Sequence, residues 1–245
     1  MSLRRTFATA VRVLRQLRHD PRTLALIFLV PPVLLTILKY VFQDQREFDA
    51  IAPMILGIFP LVVMFIVTSI ATLRERTIGT LDRLMTMPLS KLDLIFGYAA
   101  AFSLVALVQA CIASAVVLGL LGVTVLGGTL PVLIGAVASA FLGTALGLFL
   151  SAFARSEFQA VQFMPAFIFP QLLTCGLFVP RDQMAKVLQW FADIMPLTYS
   201  VDAMKQISLH VTWTGTLTRD LIVVVAYGLA VLVLGSVTIR RQDSS

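Results

Sequence analysis

This sequence predicts an all-α integral membrane protein with six transmembrane helices, and three observations carry that prediction. Of 245 residues, 58% are hydrophobic and 13% are charged; a soluble domain runs at about 45–50% and about 25%. The apolar residues come in blocks. Thr23–Leu38, Ala50–Leu73, Leu94–Ala154, Phe158–Pro180 and Leu221–Ile239 contain no Asp, Glu, Lys or Arg. Third, Leu94–Ala154 is too long for one span, and Thr124, Gly127-Gly128-Thr129 and Pro131 divide it. A spanning helix needs roughly 20 apolar residues. A charge at its centre costs about 2.5–3.5 kcal/mol, which explains the charge-free blocks. Residues 1–245 thus form a single transmembrane domain with spans at 23–42, 50–73, 94–121, 130–153, 158–179 and 219–239.

Residues 1–21 read as an interfacial helix. Leu3, Phe7, Ala10, Val11, Leu14 and Leu17 share one arc at helical spacing, and Arg4, Arg5, Arg12 and Arg15 fill the adjoining arc. Arg18 falls at the border, where its stem can snorkel. An apolar face beside a basic face is the signature of a helix lying on a membrane. An amphipathic helix packed on another domain would look similar, but no soluble domain is read here to receive it. Asp20-Pro21 stops the helix, because the residue before proline is pushed out of the helical region. About twenty polar-rich residues precede the first apolar block and no small-residue cleavage site follows it, so no cleavable signal peptide is expected.

Pro31-Pro32 in span one should kink it by removing two backbone donors. Pro53, Pro60, Pro165 and Pro170 do the same in spans two and five. Such breaks are tolerated when neighbouring helices satisfy the freed carbonyls. Gly143 and Gly147 in span four form a G-x-x-x-G close-packing pair. Between spans two and three, residues 74–90 form a dense polar segment. In it Ile78, Leu81, Leu84 and Met85 line one helical stripe, with Arg74, Glu75, Arg76, Asp82 and Arg83 around them. Physics alone leaves two readings open. One is a short helix that passes motion from a soluble partner into the spans; the other is a solvated loop with incidental amphipathicity. Residues 180–215 form a longer segment before span six. There Met184, Val187, Leu188, Phe191 and Met195 share a face, Trp190 suits a membrane interface, and a turn falls at Pro196.

Six spans place both termini on one side. That side carries Arg4, Arg5, Arg12, Arg15, Arg18, Arg22, Arg74, Arg76, Arg83, Lys91, Arg155, Arg240 and Arg241, thirteen of the 19 basic residues. The excess marks the cytoplasmic side, so the 74–90 segment is cytoplasmic too. A net charge of +6 clustered at span ends, with no long basic run interleaved with aromatics, is not a nucleic-acid footprint.

No chemistry of its own is read in this chain. There is no G-x-x-x-x-G-K-[ST] phosphate cradle and no H-E-x-x-H string. His19 and His210 fall on opposite sides. Cys111 and Cys175 read as small buried hydrophobes. Ser69, Ser103, Ser114 and Ser139 have no nearby base and read as helix-to-helix hydrogen-bonding groups. The spans hold almost no ionisable group, which argues against a proton- or sodium-coupled carrier. A lipid-modifying membrane enzyme would need clustered acids or histidines at one interface, and none is evident. Catalytic, metal and cofactor residues are therefore expected to be absent.

Glu75-Arg76, Gly79-Thr80-Leu81 and Arg83-Leu84, then Pro88-Leu89-Ser90, resemble the cytoplasmic loop motif of permease subunits of type-2 ATP-binding-cassette (ABC) exporters. Gly176-Leu177-Phe178-Val179-Pro180 and Pro196-Leu197-Thr198-Tyr199-Ser200-Val201-Asp202-Ala203 resemble that family's outer hairpin and re-entry into the last span. The basic arm is similar to its elbow helix. Cys175 stands where a serine is common. The compact size resembles drug- and antibiotic-resistance permeases.

That resemblance implies a second permease copy, as homodimer or heterodimer, and two ATPase subunits that use ATP and Mg. Glu75, Arg76, Gly79, Thr80, Leu81, Arg83 and Leu84 would face an ATPase as a coupling helix. Gly176, Pro180, Pro196, Leu197, Thr198 and Tyr199 would build the outer hairpin. Cargo would cross the cell membrane between two copies, lined by spans one, two and five. With so few charges in the spans, the expected cargo is a hydrophobic or amphipathic compound, with Phe59, Phe65, Phe163, Phe167 and Phe169 as candidate lining or packing groups. Polysaccharide or lipid-linked glycan export remains the alternative within the family.

Overall fold

The computed structural model describes residues 2–42, 44–77 and 90–238. As expected, all regular structure among them is helical. Nine α-helices follow in order: α1 (Leu3–Arg18), α2 (Pro21–Val41), α3 (Gln45–Thr77), α4 (Lys91–Ala115), α5 (Thr129–Ser151), α6 (Glu157–Thr174), α7 (Lys186–Ile194), α8 (Pro196–Leu209) and α9 (Gly215–Thr238). A π-helical turn, Val116–Leu120, extends α4, and a 3₁₀ turn, Arg181–Gln183, precedes α7.

Local chemistry sets the boundaries. Asp20 caps α2, accepting from the Thr23 backbone N–H at 3.1 Å and the Thr23 hydroxyl at 2.6 Å, while Pro21 occupies the first turn, where no donor is needed. Ser90 and Asp93 cap α4 reciprocally. Between α4 and α5 the chain turns through Gly122 (φ 67°) and Gly128 (φ 84°), which a side chain would strain.

Among the described residues, five helices are long and apolar enough to cross a membrane: Pro21–Val41, Gln45–Thr77, Leu92–Leu120, Thr129–Ser151 and Gly215–Ser236. Helix α6, at the start of the expected span 158–179, has 18 residues and is not among them. Glu157, Gln159, Gln162 and Gln171 dilute its hydropathy. Helix α3 overruns the expected 50–73 at both ends. Its 33 residues extend about 50 Å at 1.5 Å per residue, well beyond a hydrocarbon core of about 30 Å. Arg74, Glu75 and Arg76 sit on that overhang.

Helices α3 and α5 form the centre. Gly143 and Gly147 lie directly on α3: a Cβ at Gly143 would stand 2.1 Å from the Leu61 carbonyl oxygen, and one at Gly147 would stand 2.4 Å from that of Phe65. Helix α8 wedges against both. Met204 lies where a Cβ at Gly135 or Gly57 would be, and Ser200 hydrogen-bonds Ser139. Around this seam Leu56, Leu61, Leu142, Leu197 and Met204 are fully or almost fully buried. A second buried cluster at the α1 end contains Ile27, Leu94, Tyr98, Phe102 and Leu148.

One proline break is repaired by a neighbour. Pro31 has no N–H to give the Ile27 carbonyl, and the buried Gln109 of α4 donates its side-chain amide to that oxygen at 3.0 Å. Gln109→Leu should therefore orphan the carbonyl and lower stability by about 1 kcal/mol, read as an earlier thermal unfolding in detergent. An unchanged unfolding curve would remove Gln109 from this role.

Two expectations about exposure need correction. Cys175 is buried, but Cys111 is exposed on the flank of α4, because only one side of that helix packs inward. On α1 the apolar arc is divided. Thr9, Ala10, Val13 and Leu17 are buried against the bundle, chiefly α4, while Leu3 and Phe7 remain exposed. Gly97 lets α1 approach, since a Cβ there would meet Thr9 at 2.6 Å. Of the spanning serines, Ser139 donates to the Gly135 carbonyl at 2.8 Å. The Ser69 and Ser114 hydroxyls are buried without a hydrogen-bond partner among the described residues.

Candidate functional site

Arg74, Glu75 and Arg76 close α3, and each reaches a different helix. Consecutive helical residues point about 100° apart, so three in a row address three neighbours. Arg74 grips Glu157 at the start of α6 through two bonds, Nε to Oε1 at 2.6 Å and Nη2 to Oε2 at 3.1 Å. Glu75 accepts from Arg12 Nη2 of α1 at 2.9 Å. The same nitrogen donates to the Tyr98 hydroxyl of α4 at 2.6 Å, and the guanidinium lies 5.6 Å from the Tyr98 ring centroid. Arg76 donates to the Ser151 carbonyl at 2.5 Å, the last residue of α5. A cation there meets the negative end of the α5 dipole.

The two ion pairs differ in setting. Arg74 and Glu157 are each about half exposed (52% and 50%), where such pairs contribute little, about 0.2–1 kcal/mol. Arg12 and Glu75 are more enclosed (29% and 15%), and aromatic contact fixes the cation. A second tie binds α1 to α4: the Ser2 backbone N–H donates to Asp93 at 2.7 Å. The result is a junction in which α1, α5 and α6 each hold the end of α3, with α4 tied in through the Arg12–Tyr98 bond.

Of the coupling residues named from sequence, Glu75 and Arg76 belong to this junction. Gly79, Thr80, Leu81, Arg83 and Leu84 lie outside the described residues, as does the rest of the Ile78–Leu89 stretch. Arg12, Tyr98, Ser151 and Glu157 were missed as partners. They sit on other helices, and no sequence spacing announces such a contact.

At the opposite end the segment around α7 and α8 is bound to the bundle. Gly176 adopts φ 89° as the chain leaves α6, and Pro180 is exposed before the 3₁₀ turn. Pro196 starts α8, and the Leu197 N–H donates to Gln171 Oε1 of α6 at 3.3 Å, so a buried glutamine caps the re-entering helix. Thr198 is fully buried. Tyr199 donates to the Asp193 carbonyl at 2.6 Å and Tyr227 to that of Ile194, satisfying the free carbonyls at the end of α7. Arg181 bridges Asp202 at 2.5 Å and Asp193 at 3.4 Å. Burial holds the Asp202 carboxyl above the ordinary range, Asp220 adds to this, and Arg181 opposes it. Gln171 was legible in part: it is a long amide inside a charge-free block, next to Pro170.

The phenylalanines scatter. Phe59 lines an apolar cavity of about 370 Å³ with Leu38, Phe42, Ile55, Leu172 and Phe178, between α2, α3 and the end of α6. Phe163 and Phe167 are partly buried, Phe169 is exposed, and Phe65 is fully buried among core residues.

Fold and site together define a multi-pass helical membrane protein whose longest span ends in a charged junction. Residues 4–209 match the ABC-2 type transporter family, and the chain belongs to that family. Curated relatives agree. ABC transporter G family member 20 of Dictyostelium discoideum is 28% identical over 166 residues, 68% of this chain and 23% of that protein. The inner membrane transport permease YhhJ of Escherichia coli K12 is 28% identical over 159 residues, 64% of this chain and 42% of that one. The probable multidrug ABC transporter permease YbhR of the same organism is 28% identical over 168 residues, 66% and 46% respectively. The chain thus matches less than half the length of each of these relatives.

Proposed function

We propose that this chain is the membrane permease subunit of an ABC exporter, moving a hydrophobic or amphipathic compound with ATP and Mg used by a separate ATPase. The observation that carries this is the Arg74-Glu75-Arg76 junction, a charged helix end fastened to α1, α5 and α6 and suited to receive force from a soluble partner. In this reading α6 is a sixth span, both termini and residues 74–90 are cytoplasmic, and α1 lies in the inner interface with Leu3 and Phe7 toward lipid. Two ATPase copies and a second permease copy complete the assembly in the cell membrane. Helices α7 and α8 form the outer hairpin, with Trp190 exposed at its edge. The wholly apolar walls beside Phe59 favour a hydrophobic cargo over a glycan.

Reconstitution tests this. The chain in liposomes with its partner ABC ATPase should accumulate a hydrophobic dye against its gradient, and only with ATP. Uphill movement by the chain alone, or ATP turnover without the ATPase, would overturn the proposal.

A further inference from the structure

A second pocket, of about 360 Å³, opens under α1, away from the cavity beside Phe59. Leu17 of α1, Leu26 of α2, Ile66, Ile70 and Ala71 of α3 and Phe102 of α4 give it hydrocarbon and aromatic walls. Asp20, Arg74, Glu75 and Tyr98 stand at its polar end. That end lies where α2 begins and α3 finishes, at the boundary level of the spans. Leu26 is 59% exposed on its flank, so the apolar part faces the surrounding lipid.

The charges at the rim are unequally matched. Arg74 is held by Glu157 and Glu75 by Arg12. Asp20 accepts two hydrogen bonds from Thr23 and feels the Arg74 guanidinium through space, but it forms no ion pair among the described residues. Those Thr23 bonds keep its carboxyl below the usual carboxylate range, so it is ionised at neutral pH. Capping α2 explains the position of Asp20. It does not explain a cavity of ligand size, in the range of about 300–1,000 Å³, opening at that carboxylate. Asp20 and Glu75 against Arg74 leave the lining one carboxylate in excess, and an apolar slot with that excess at its mouth complements an apolar body carrying a positive head.

We propose that this pocket binds an ammonium-headed amphiphile, with its tail between α2 and α3 and its head on Asp20. A phospholipid such as phosphatidylethanolamine and a free cationic amphiphile share this chemistry. The site stands independently of the exporter reading, although Glu75 on its rim places any occupant against the Arg12–Glu75 pair.

Calorimetric titration of the purified full chain in dodecyl maltoside with dodecylammonium tests it. One saturable site is expected, and dodecanol should bind at least tenfold more weakly. Asp20→Asn keeps the Thr23 cap and should weaken dodecylammonium about tenfold. Ala71→Phe should abolish binding by filling the slot; should it not fold, Leu26→Phe on the exposed flank fills the same space. Competition by phosphatidylethanolamine but not phosphatidylglycerol assigns the site to the lipid, and no competition by either assigns it to the free amphiphile. Equal binding of dodecanol, or unchanged binding in both Asp20→Asn and the filling variant, overturns the proposal.

Discussion

Glu75→Arg is expected to strip the ATPase from the purified complex and to end ATP-driven transport. The substitution sets two guanidinium groups against each other in a partly enclosed site that now holds an ion pair at 2.9 Å. Breaking a fully buried pair costs about 3–5 kcal/mol and an exposed pair about 0.2–1 kcal/mol. The partial exposure of Arg12 and Glu75 puts this case between them, at about 1–3 kcal/mol. The charge swap Arg12→Glu with Glu75→Arg separates two causes. Recovery of thermal stability and of ATPase retention together means that the ion pair positions the junction. Recovery of stability alone means that Glu75 also meets the ATPase directly. Full ATPase retention and full transport in Glu75→Arg itself would exclude the junction from coupling.

Gly143→Ala, a change of one methyl group, is expected to be among the most damaging single substitutions in the chain. Its Cβ would sit 2.1 Å from the Leu61 carbonyl oxygen and 2.8 Å from the Leu61 carbonyl carbon and Cα. These are backbone atoms of a packed helix, so no rotamer change relieves the clash, and α3 and α5 must part along the seam. Overpacking costs about 1–3 kcal/mol where side chains can adjust, and here they cannot. The expected outcome is a poor yield of monodisperse protein and a clear fall in Tm. Gly119→Ala is the matched control, because nothing lies within 4 Å of its Cβ, and it should be neutral or slightly stabilising. Equal Tm values for the two variants would refute the seam.

The spans were legible because lipid imposes one strong rule, the exclusion of charge, and that rule acts on sequence directly. Helices α2, α3, α4, α5 and α9 each fall on a charge-free block, though their ends differ from the expected bounds by up to several residues. The Gly143/Gly147 pair was legible for a related reason, since only glycine permits the backbone approach seen at Leu61 and Phe65. Partnerships were not legible. Nothing in the spacing of Arg12, Tyr98, Ser151 or Glu157 says that they meet at the end of α3, because tertiary contact between distant helices leaves no periodic trace. The face of α1 was misjudged for the same cause. Hydrophobicity marks what leaves water, but it does not distinguish burial against Gly97 of α4 from burial in lipid.

The glycine seam has a mechanical corollary. Of the apolar stretch of α5, 72% is enclosed by protein, against 22% for α2. The first is welded into its surroundings, and the second, short of two backbone donors at Pro31-Pro32, is mostly uncovered along its length. The molecule is therefore built as a keel with a movable plank. Under the proposed export function, α2 is the helix expected to shift and α5 the one expected to stay fixed.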